Sequence, residues 1–407
     1  MTPTIPHPAM PVEPRLATTA LPKAPLLGWD SFRPTGRSPL PCIGDLPHCA
    51  YTSSGRAALH AALLQMGLPA GAGVLVPTYH CPTMVAPIVE AGLAPVFYAL
   101  DSDGLPALDR LYLPASVRAM FVAHFFGLAK SLHAVQAWCR QRGILLVEDC
   151  AHSYYGMAGE RPVGHWGDYA IASVSKFFPV PEAGLLASMS RPLRPLGLRA
   201  PTIADEARAL WNVIDRANDH GRLAGLTHAL LPLFWIRRKR KDRDLQAVAA
   251  DTALDGDAIR DGCDMGRIRE APRLAARWLH RGLPQGRIVK RRRGNYSTLA
   301  HELRDAPGAR VLTPDLPVDC APYVLPLWVD GLARADAVYA RIRVEQLPVF
   351  RWDRPWPGTP SLANDTGALW SRQVLQLLCH QDLSLDELIA VAERIRHALN
   401  ANRAAGA

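Results

Sequence analysis

Between residues 55 and 189 the sequence alternates between two hydrophobic periods, and this alternation limits the chain to one broad class of fold. RAALHAALLQMG (56–67) places apolar residues at helical spacing, with Ser53 or Ser54 positioned to cap its start. GVLVP (73–77) is a short apolar run of the kind a strand buried on both faces requires. PTMVAPIVEAG (82–92) opens on a proline, tolerated in a first helical turn, and stops at Gly92. APVFYAL (94–100), RAMFVAHF (118–125), ILLVEDC (144–150), YAIASVS (169–175) and GLLASM (184–189) read as further strands. SLHAVQAWCRQRG (131–143) is a helix between two of them. Such alternation predicts an α/β fold, a mainly parallel sheet flanked by helices.

The rhythm stops at 196. Residues 196–285 are rich in Ala and Arg, predict helix, and carry the basic run RRKRKDR at 237–243. From 286 the pattern is mixed: a basic helix with Tyr296, then YVLPLWVD (323–330), ARADAVYARIR (333–343) and LSLDELIAVAERIRHALN (383–400). Ser384 and Glu387 form a capping box for the last helix. The expected organisation is a flexible, proline-rich arm over 1–28, a large domain over 29–285 and a small α+β domain over 286–407. The arm lacks a charged start followed by an apolar run, so it reads as neither a leader peptide nor a spanning helix.

The formal net charge of +9 is concentrated in local clusters. No RNA- or DNA-binding signature accompanies them, so nucleic acid is not an expected partner, whereas a polyanionic small substrate suits the charge. LAGLTHALLPLFWI (223–236) is interrupted by His228 and Pro232 and too short to span a bilayer comfortably. It reads as a helix packed on its own protein, the alternative being membrane-surface contact through 223–243. The eight cysteines form no CxxC pair and read as reduced thiols of a cytoplasmic protein. His80-Cys81, Cys150 with His152, and Cys379-His380 raise the thought of zinc, but none has the spacing of a structural site, so no metal is expected.

In open parallel sheets, ligands bind beyond the carboxyl ends of the strands. Here those ends carry His80 and Cys81, His124, Asp149 followed by His152, and Ser173 followed by Lys176. Asp149 should sit at the mouth of a buried strand, where a carboxylate needs a cationic partner. Lys176 is one of six lysines among 46 basic residues, the other 40 being arginine. A snorkelling cation in this chain would be arginine; only lysine can shed its proton near neutral pH and attack a carbonyl. Ser54-Gly55-Arg56 opens a helix, where free backbone N–H groups make a phosphate cradle and Arg56 adds a charge. A cradle, an acid and a lysine on one sheet edge are what pyridoxal 5′-phosphate requires.

SSGRAAL, VPTYHCPTM, HFFG, VEDCAHSYYG and GDYAIASVSK, in that order, resemble the DegT/DnrJ/StrS family of sugar aminotransferases, which have the aspartate aminotransferase fold (fold type I). The resemblance covers roughly residues 45–190 and, more loosely, PYVLPLWVD and CHQDLSLDEL. It implies that Ser54, Gly55, Arg56 and Ser173 hold the phosphate and that Asp149 partners the pyridine nitrogen. It also implies that His152 neighbours the 3-hydroxyl and that Lys176 carries the cofactor's aldehyde. The ring-stacking position after VPT falls at His80 or Cys81, and the family's GxNxRM segment has DMGRIRE (264–270) as its nearest counterpart. The SxxK spacing from Ser173 to Lys176 is shorter than in many members and marks a divergent branch. The implied activity is transfer of an amino group from an amino acid, with glutamate as donor, to a nucleotide-linked keto sugar, in a homodimer. Two alternatives are a dehydratase of the same family, whose members carry histidine where Lys176 stands, and a non-catalytic protein of envelope-polysaccharide assembly.

Overall fold

A computed structural model of the chain describes residues 21–36, 38–226 and 256–401. The segment 223–243, expected as a packed helix with membrane-surface contact as the alternative, therefore lies largely outside the described residues, as does the arm before residue 21.

The alternation builds a seven-stranded sheet. Its strands are β1 (His48–Thr52), β2 (Gly73–Pro77), β3 (Ala94–Tyr98), β4 (Val117–Ala123), β5 (Leu145–Asp149), then β8 (Tyr169–Ser173) and β9 (Gly184–Ser188). A two-stranded hairpin, β6 (Met157–Ala158) with β7 (Arg161–Pro162), precedes β8. The order across the sheet is β1-β9-β8-β5-β4-β2-β3. Strands β3, β2, β4, β5 and β8 pair in parallel, while β9 is antiparallel to both β8 and β1. GLLASM therefore runs against the others, and HCAYT is a strand that short-range patterning does not announce. The central strands are apolar on both faces because α1 (Gly55–Met66), α2 (Pro82–Glu90) and α3 (His133–Gln141) cover the sheet.

Local chemistry fixes the helix ends. Ser54 caps α1 by accepting the Ala57 N–H at 3.1 Å, and Gly67 closes it with φ 62°. Beyond β9 come α4 (Ile203–Asp219), α5 (Gly256–Asp261) and α6 (Leu274–Gly282).

The second domain opens with α7 (Gly286–Glu302) and continues through β10 (Ala309–Val311), β11 (Val324–Val329), α8 (Leu332–Val344), β12 (Val349–Phe350), α9 (Thr366–Gln373), β13 (Val374–Leu378) and α10 (Leu385–Ala401). Its four strands form an antiparallel sheet in the order β10-β11-β13-β12. The capping box of α10 is present, with Ser384 N–H to Glu387 Oε2 at 2.7 Å and Glu387 N–H to Ser384 Oγ at 3.1 Å.

Residues 21–28, the end of the expected arm, lie against this small domain. The Pro22 carbonyl meets His380 Nε2 at 3.0 Å, the Leu26 N–H reaches Asp382 at 3.0 Å, and Leu26 and Leu27 are buried. One hydrophobic core runs through both domains, from β2 and β4 to β11 and β13.

Candidate active site

Pairing register brings the chemistry together. Ala123 of β4 faces Asp149 of β5, and Asp149 faces Ile171 of β8, so the three strands end almost level. The chain leaves them at His124, Cys150 and Val174. Lys176 sits in the short 3-10 turn Val174–Lys176, directly past β8.

Asp149 is 4% exposed, and its Oδ1 accepts the Ala151 N–H at 2.7 Å. Burial pushes its carboxyl up to about 6, opposed by that N–H, by the Lys176 ammonium and by His124. Burial lowers the proton affinity of Lys176, opposed by Cys81 and Asp149. Each group thus holds the other's charge in place, in a setting that favours a neutral amine more than water does.

Behind Asp149 the adjacent Glu148, 0% exposed, points to the opposite side of β5. It pairs with His124 Nε2 at 2.9 Å and accepts N–H groups from Gly164 (2.7 Å), Trp166 (2.8 Å) and Gly167 (3.2 Å). Its carboxyl stays below the ordinary range: burial raises it, but the His124 bond and charge and the Gly164 and Trp166 amides outweigh burial. His124, Glu148 and Cys150 are the set of potential metal ligands that converge among the described residues. Both Glu148 oxygens are already filled by backbone donors, so the cluster is a hydrogen-bonded brace for the 164–167 turn.

At the cradle, the N–H groups of Gly55 and Arg56 have no acceptor among the described residues, while Ala57 and Ala58 are served by Ser54. Gly55 abuts Ser173, where an added Cβ would lie 3.3 Å from the Ser173 Cβ. Gly184 backs Ser54 so closely that a Cβ would stand 2.2 Å from the Ser54 carbonyl oxygen. Both glycines keep this corner open, and the donor set suits a phosphate.

Two expected site residues, Arg56 and His80, have other occupations, and Asp168 of the GDYAIASVSK motif is structural. Arg56 binds Glu182 at 2.7 Å and Asp264 at 3.0 Å, so its guanidinium is neutralised beside the cradle. His80 uses both nitrogens: Nδ1 meets the Pro77 carbonyl at 2.8 Å, and Nε2 accepts the Trp356 N–H at 2.9 Å. Its ring stacks on Phe97, and burial lowers its pKa to about 4. Asp168 accepts the Leu146 N–H at 2.9 Å and pairs with Arg191 at 2.7 Å, which ties β5 to the turn before β8. Cys81 contacts Thr83 Oγ1 at 2.7 Å and lies within electrostatic reach of Lys176. DMGRIRE packs against the cradle, where Ser53 Oγ donates to the Arg267 carbonyl at 2.7 Å.

The small domain adds Arg292, which lies outside every motif of the resemblance, and Tyr323 and Gln381, which fall in the loosely matching segments PYVLPLWVD and CHQDLSLDEL. Arg292, 0% exposed, donates to the Lys176 carbonyl, to the Pro322 carbonyl at 3.1 Å and to Gln381 Oε1 at 2.9 Å. Gln381 Nε2 in turn holds the Phe177 carbonyl at 2.9 Å. The Tyr323 ring lies 5.2 Å from Lys176 Nζ and 4.3 Å from the His152 ring, whose other neighbour is Trp352 at 5.2 Å. A cavity of about 250 Å³ opens over Lys176, lined by Lys23, Ser175, Glu182, Arg216 and Tyr323 among others. Lys176 and Asp149 were legible as strand-end residues; Arg292, Gln381 and Tyr323 lie more than a hundred residues further on, and only domain packing brings them near.

A lysine past one parallel strand, a buried aspartate on the next and a small α+β domain packed over both define the PLP-dependent transferase fold of type I. The crystal structure of DesI in the presence of its TDP-sugar product matches with a TM-score of 0.62 at 17% identity, over 89% of this chain and 83% of that one. A DegT DnrJ EryC1 StrS aminotransferase from Brucella abortus matches with a TM-score of 0.58 at 18% identity, over 87% and 86%. These likenesses are likenesses of fold. Residues 43–191 match the DegT/DnrJ/EryC1/StrS aminotransferase family, the family that SSGRAAL, VEDCAHSYYG and ASVSK indicate. GDP-perosamine synthase of Vibrio cholerae is 28% identical over 148 residues, covering 35% of this chain and 40% of that protein. L-glutamine:scyllo-inosose aminotransferase of Streptomyces griseus is 30% identical over 145 residues, 34% of each chain. The chain thus spans well under half the length of these curated relatives.

Proposed function

We propose that this chain is a PLP-dependent aminotransferase that moves an amino group from an amino acid, with glutamate as donor, to a nucleotide-linked keto sugar. The observation that carries this reading is the placement of Lys176 and Asp149 at adjacent strand ends, each shifting the other's protonation. The cofactor, when bound, supplies an electron sink conjugated to the carbon that gains or loses the amino group.

The protein's part is positioning and proton management. The first turn of α1, with Gly55 and Ser173, would offer phosphate donors; Asp149 would keep a ring nitrogen protonated; His152, whose ring lies against that of Tyr323, would serve an adjacent hydroxyl. Lys176, whose proton affinity is lowered by burial, would take up the proton of the donor's α-carbon at Nζ. The net charge of +9 and the relatives named for GDP- and UDP-linked sugars support a nucleotide-linked acceptor. Homodimerisation and a cytoplasmic setting belong to the same proposal. No helix among the described residues is long and apolar enough to cross a membrane.

The test is an absorption spectrum. Wild-type protein mixed with cofactor should acquire a visible band that glutamate bleaches and a keto sugar restores, with glutamine as a parallel donor arm. Lys176→Ala should lack both the band and turnover. A wild-type protein that never acquires the band, or a Lys176→Ala protein that keeps it, would overturn the reading.

A further inference from the structure

Past β2, Tyr79 is fully buried among Phe125, Phe126, Trp352 and Trp370, and no aromatic stands at His80 or Cys81, where the resemblance places the ring-stacking residue. His80 is committed at both nitrogens to Pro77 and Trp356, and Cys81 is small. We propose that Tyr323, delivered from the small domain, supplies the missing aromatic wall and so completes a site for a planar pyridine ring. This rests on the reading of the site as a PLP site, and it concerns a residue outside the 43–191 stretch that matches the family.

Tyr323 is among the site's own residues. Its ring lies 4.3 Å from that of His152 at a tilt of 33°, and Lys176 Nζ lies 5.2 Å from its centroid. It lines the cavity over Lys176 and is only partly buried, so it is open to that cavity.

Its delivery is built into the backbone at some cost. The Tyr323 N–H donates to the Phe126 carbonyl at 2.9 Å, and Phe126 holds the left-handed conformation, φ 64°, that a bulky residue seldom adopts. Gly127 follows with φ 86°, where a Cβ would stand 2.3 Å from the Tyr323 nitrogen and 2.7 Å from the His152 carbonyl oxygen. The HFFG turn is thus shaped so that the backbone carrying Tyr323 can reach His152. Arg292 then fixes Pro322, one residue before Tyr323, with the same guanidinium that fixes Lys176. The ring and the lysine are referenced to one buried group, so their spacing survives small movements between the domains.

The experiment measures binding of pyridoxamine phosphate, which has no aldehyde for Lys176 to capture, to the cofactor-free protein by equilibrium dialysis. Tyr323→Phe should bind within about twofold of wild type. Tyr323→Leu and Tyr323→Ala should bind about three- to tenfold more weakly, in line with the loss of an aromatic contact. Adding Cys81→Phe to Tyr323→Ala should recover a substantial part of the affinity, since it puts a ring at one of the two positions, His80 or Cys81, where the resemblance places the stacking residue. Circular dichroism and melting of each variant confirm that the fold is retained, and Tyr323→Leu keeps the apolar bulk if Tyr323→Ala does not fold. Wild-type affinity in Tyr323→Leu overturns the proposal, and so does a Tyr323→Phe loss as large as that of Tyr323→Leu, which would assign the effect to the hydroxyl. If wild type binds neither pyridoxamine phosphate nor pyridoxal phosphate, the functional reading itself fails and this inference falls with it.

Discussion

Replacing Glu148 by glutamine changes almost no volume and should still loosen the turn that carries Gly164–Gly167. The carboxylate accepts five donors: His124 Nε2, the Gly164 N–H and, at 3.6 Å, the Cys150 thiol at Oε1, and the Trp166 and Gly167 N–H groups at Oε2. An amide has one oxygen, so one side of the group becomes a donor facing donors. The least costly arrangement turns the new NH2 toward His124, which can switch tautomer and accept. That leaves the Gly164 N–H without a partner, and the Trp166 and Gly167 bonds lose their charge assistance. An orphaned buried N–H costs about 1–3 kcal/mol, and weakening two charged bonds adds about 1 kcal/mol, giving roughly 2–4 kcal/mol. At 1.36 kcal/mol per factor of ten, amide exchange at 164–167 should quicken roughly thirty- to several-hundred-fold, read by hydrogen–deuterium exchange with mass spectrometry. Because the Glu148 carboxyl is held below its ordinary value of 4.5, its contribution is complete above that value and is lost as pH falls through the folded one. The variant should therefore show a flatter acid limb in a pH series. Exchange at 164–167 within threefold of wild type would refute the count of donors on which the estimate rests.

Three further outcomes follow from the same geometry. Asp149, with a folded value of about 6 against an ordinary 3.8, keeps its proton in the folded chain where the unfolded chain has lost it, so its burial costs stability as pH rises through that window. Asp149→Asn should raise the melting temperature of the cofactor-free protein more at about pH 7.5 than at about pH 4, while weakening cofactor binding. Gly184→Ala would drive a methyl into the Ser54 carbonyl, 2.2 Å away, and should cost about 1–3 kcal/mol in thermal unfolding together with cofactor affinity. Arg56→Gln removes the pairs to Glu182 and Asp264 and should lower the melting temperature, yet change cofactor affinity by less than about threefold, because the guanidinium is already engaged.

Short-range pattern was enough for six of the seven strands of the large sheet and for placing Asp149 and Lys176 at strand mouths. Buried parallel strands must be apolar on both faces and must end at loops, so an apolar run closed by Asp149 or followed by Lys176 already marks a strand mouth. The excess of arginine made Lys176 conspicuous, because only one chemical property separates the two cations. Pattern did not find β1, whose five residues HCAYT are half-buried at a sheet edge and show no run. Nor could it give the antiparallel direction of β9, since a buried strand reads the same both ways. The order of strands rests on pairing across the sheet, which leaves no trace in local composition.

The sequence by itself determined which residues could do chemistry: a lysine where arginine would otherwise serve, an acid at a strand end, and a helix start with open N–H groups. Tertiary structure alone decided which of them remain available. It committed His80 to Pro77 and Trp356, and Arg56 to Glu182 and Asp264. It also brought in Arg292, Gln381 and Tyr323 from the second domain. The physical reason is that protonation and hydrogen bonding depend on what lies within a few ångströms, and those neighbours are set by packing between segments far apart in the chain.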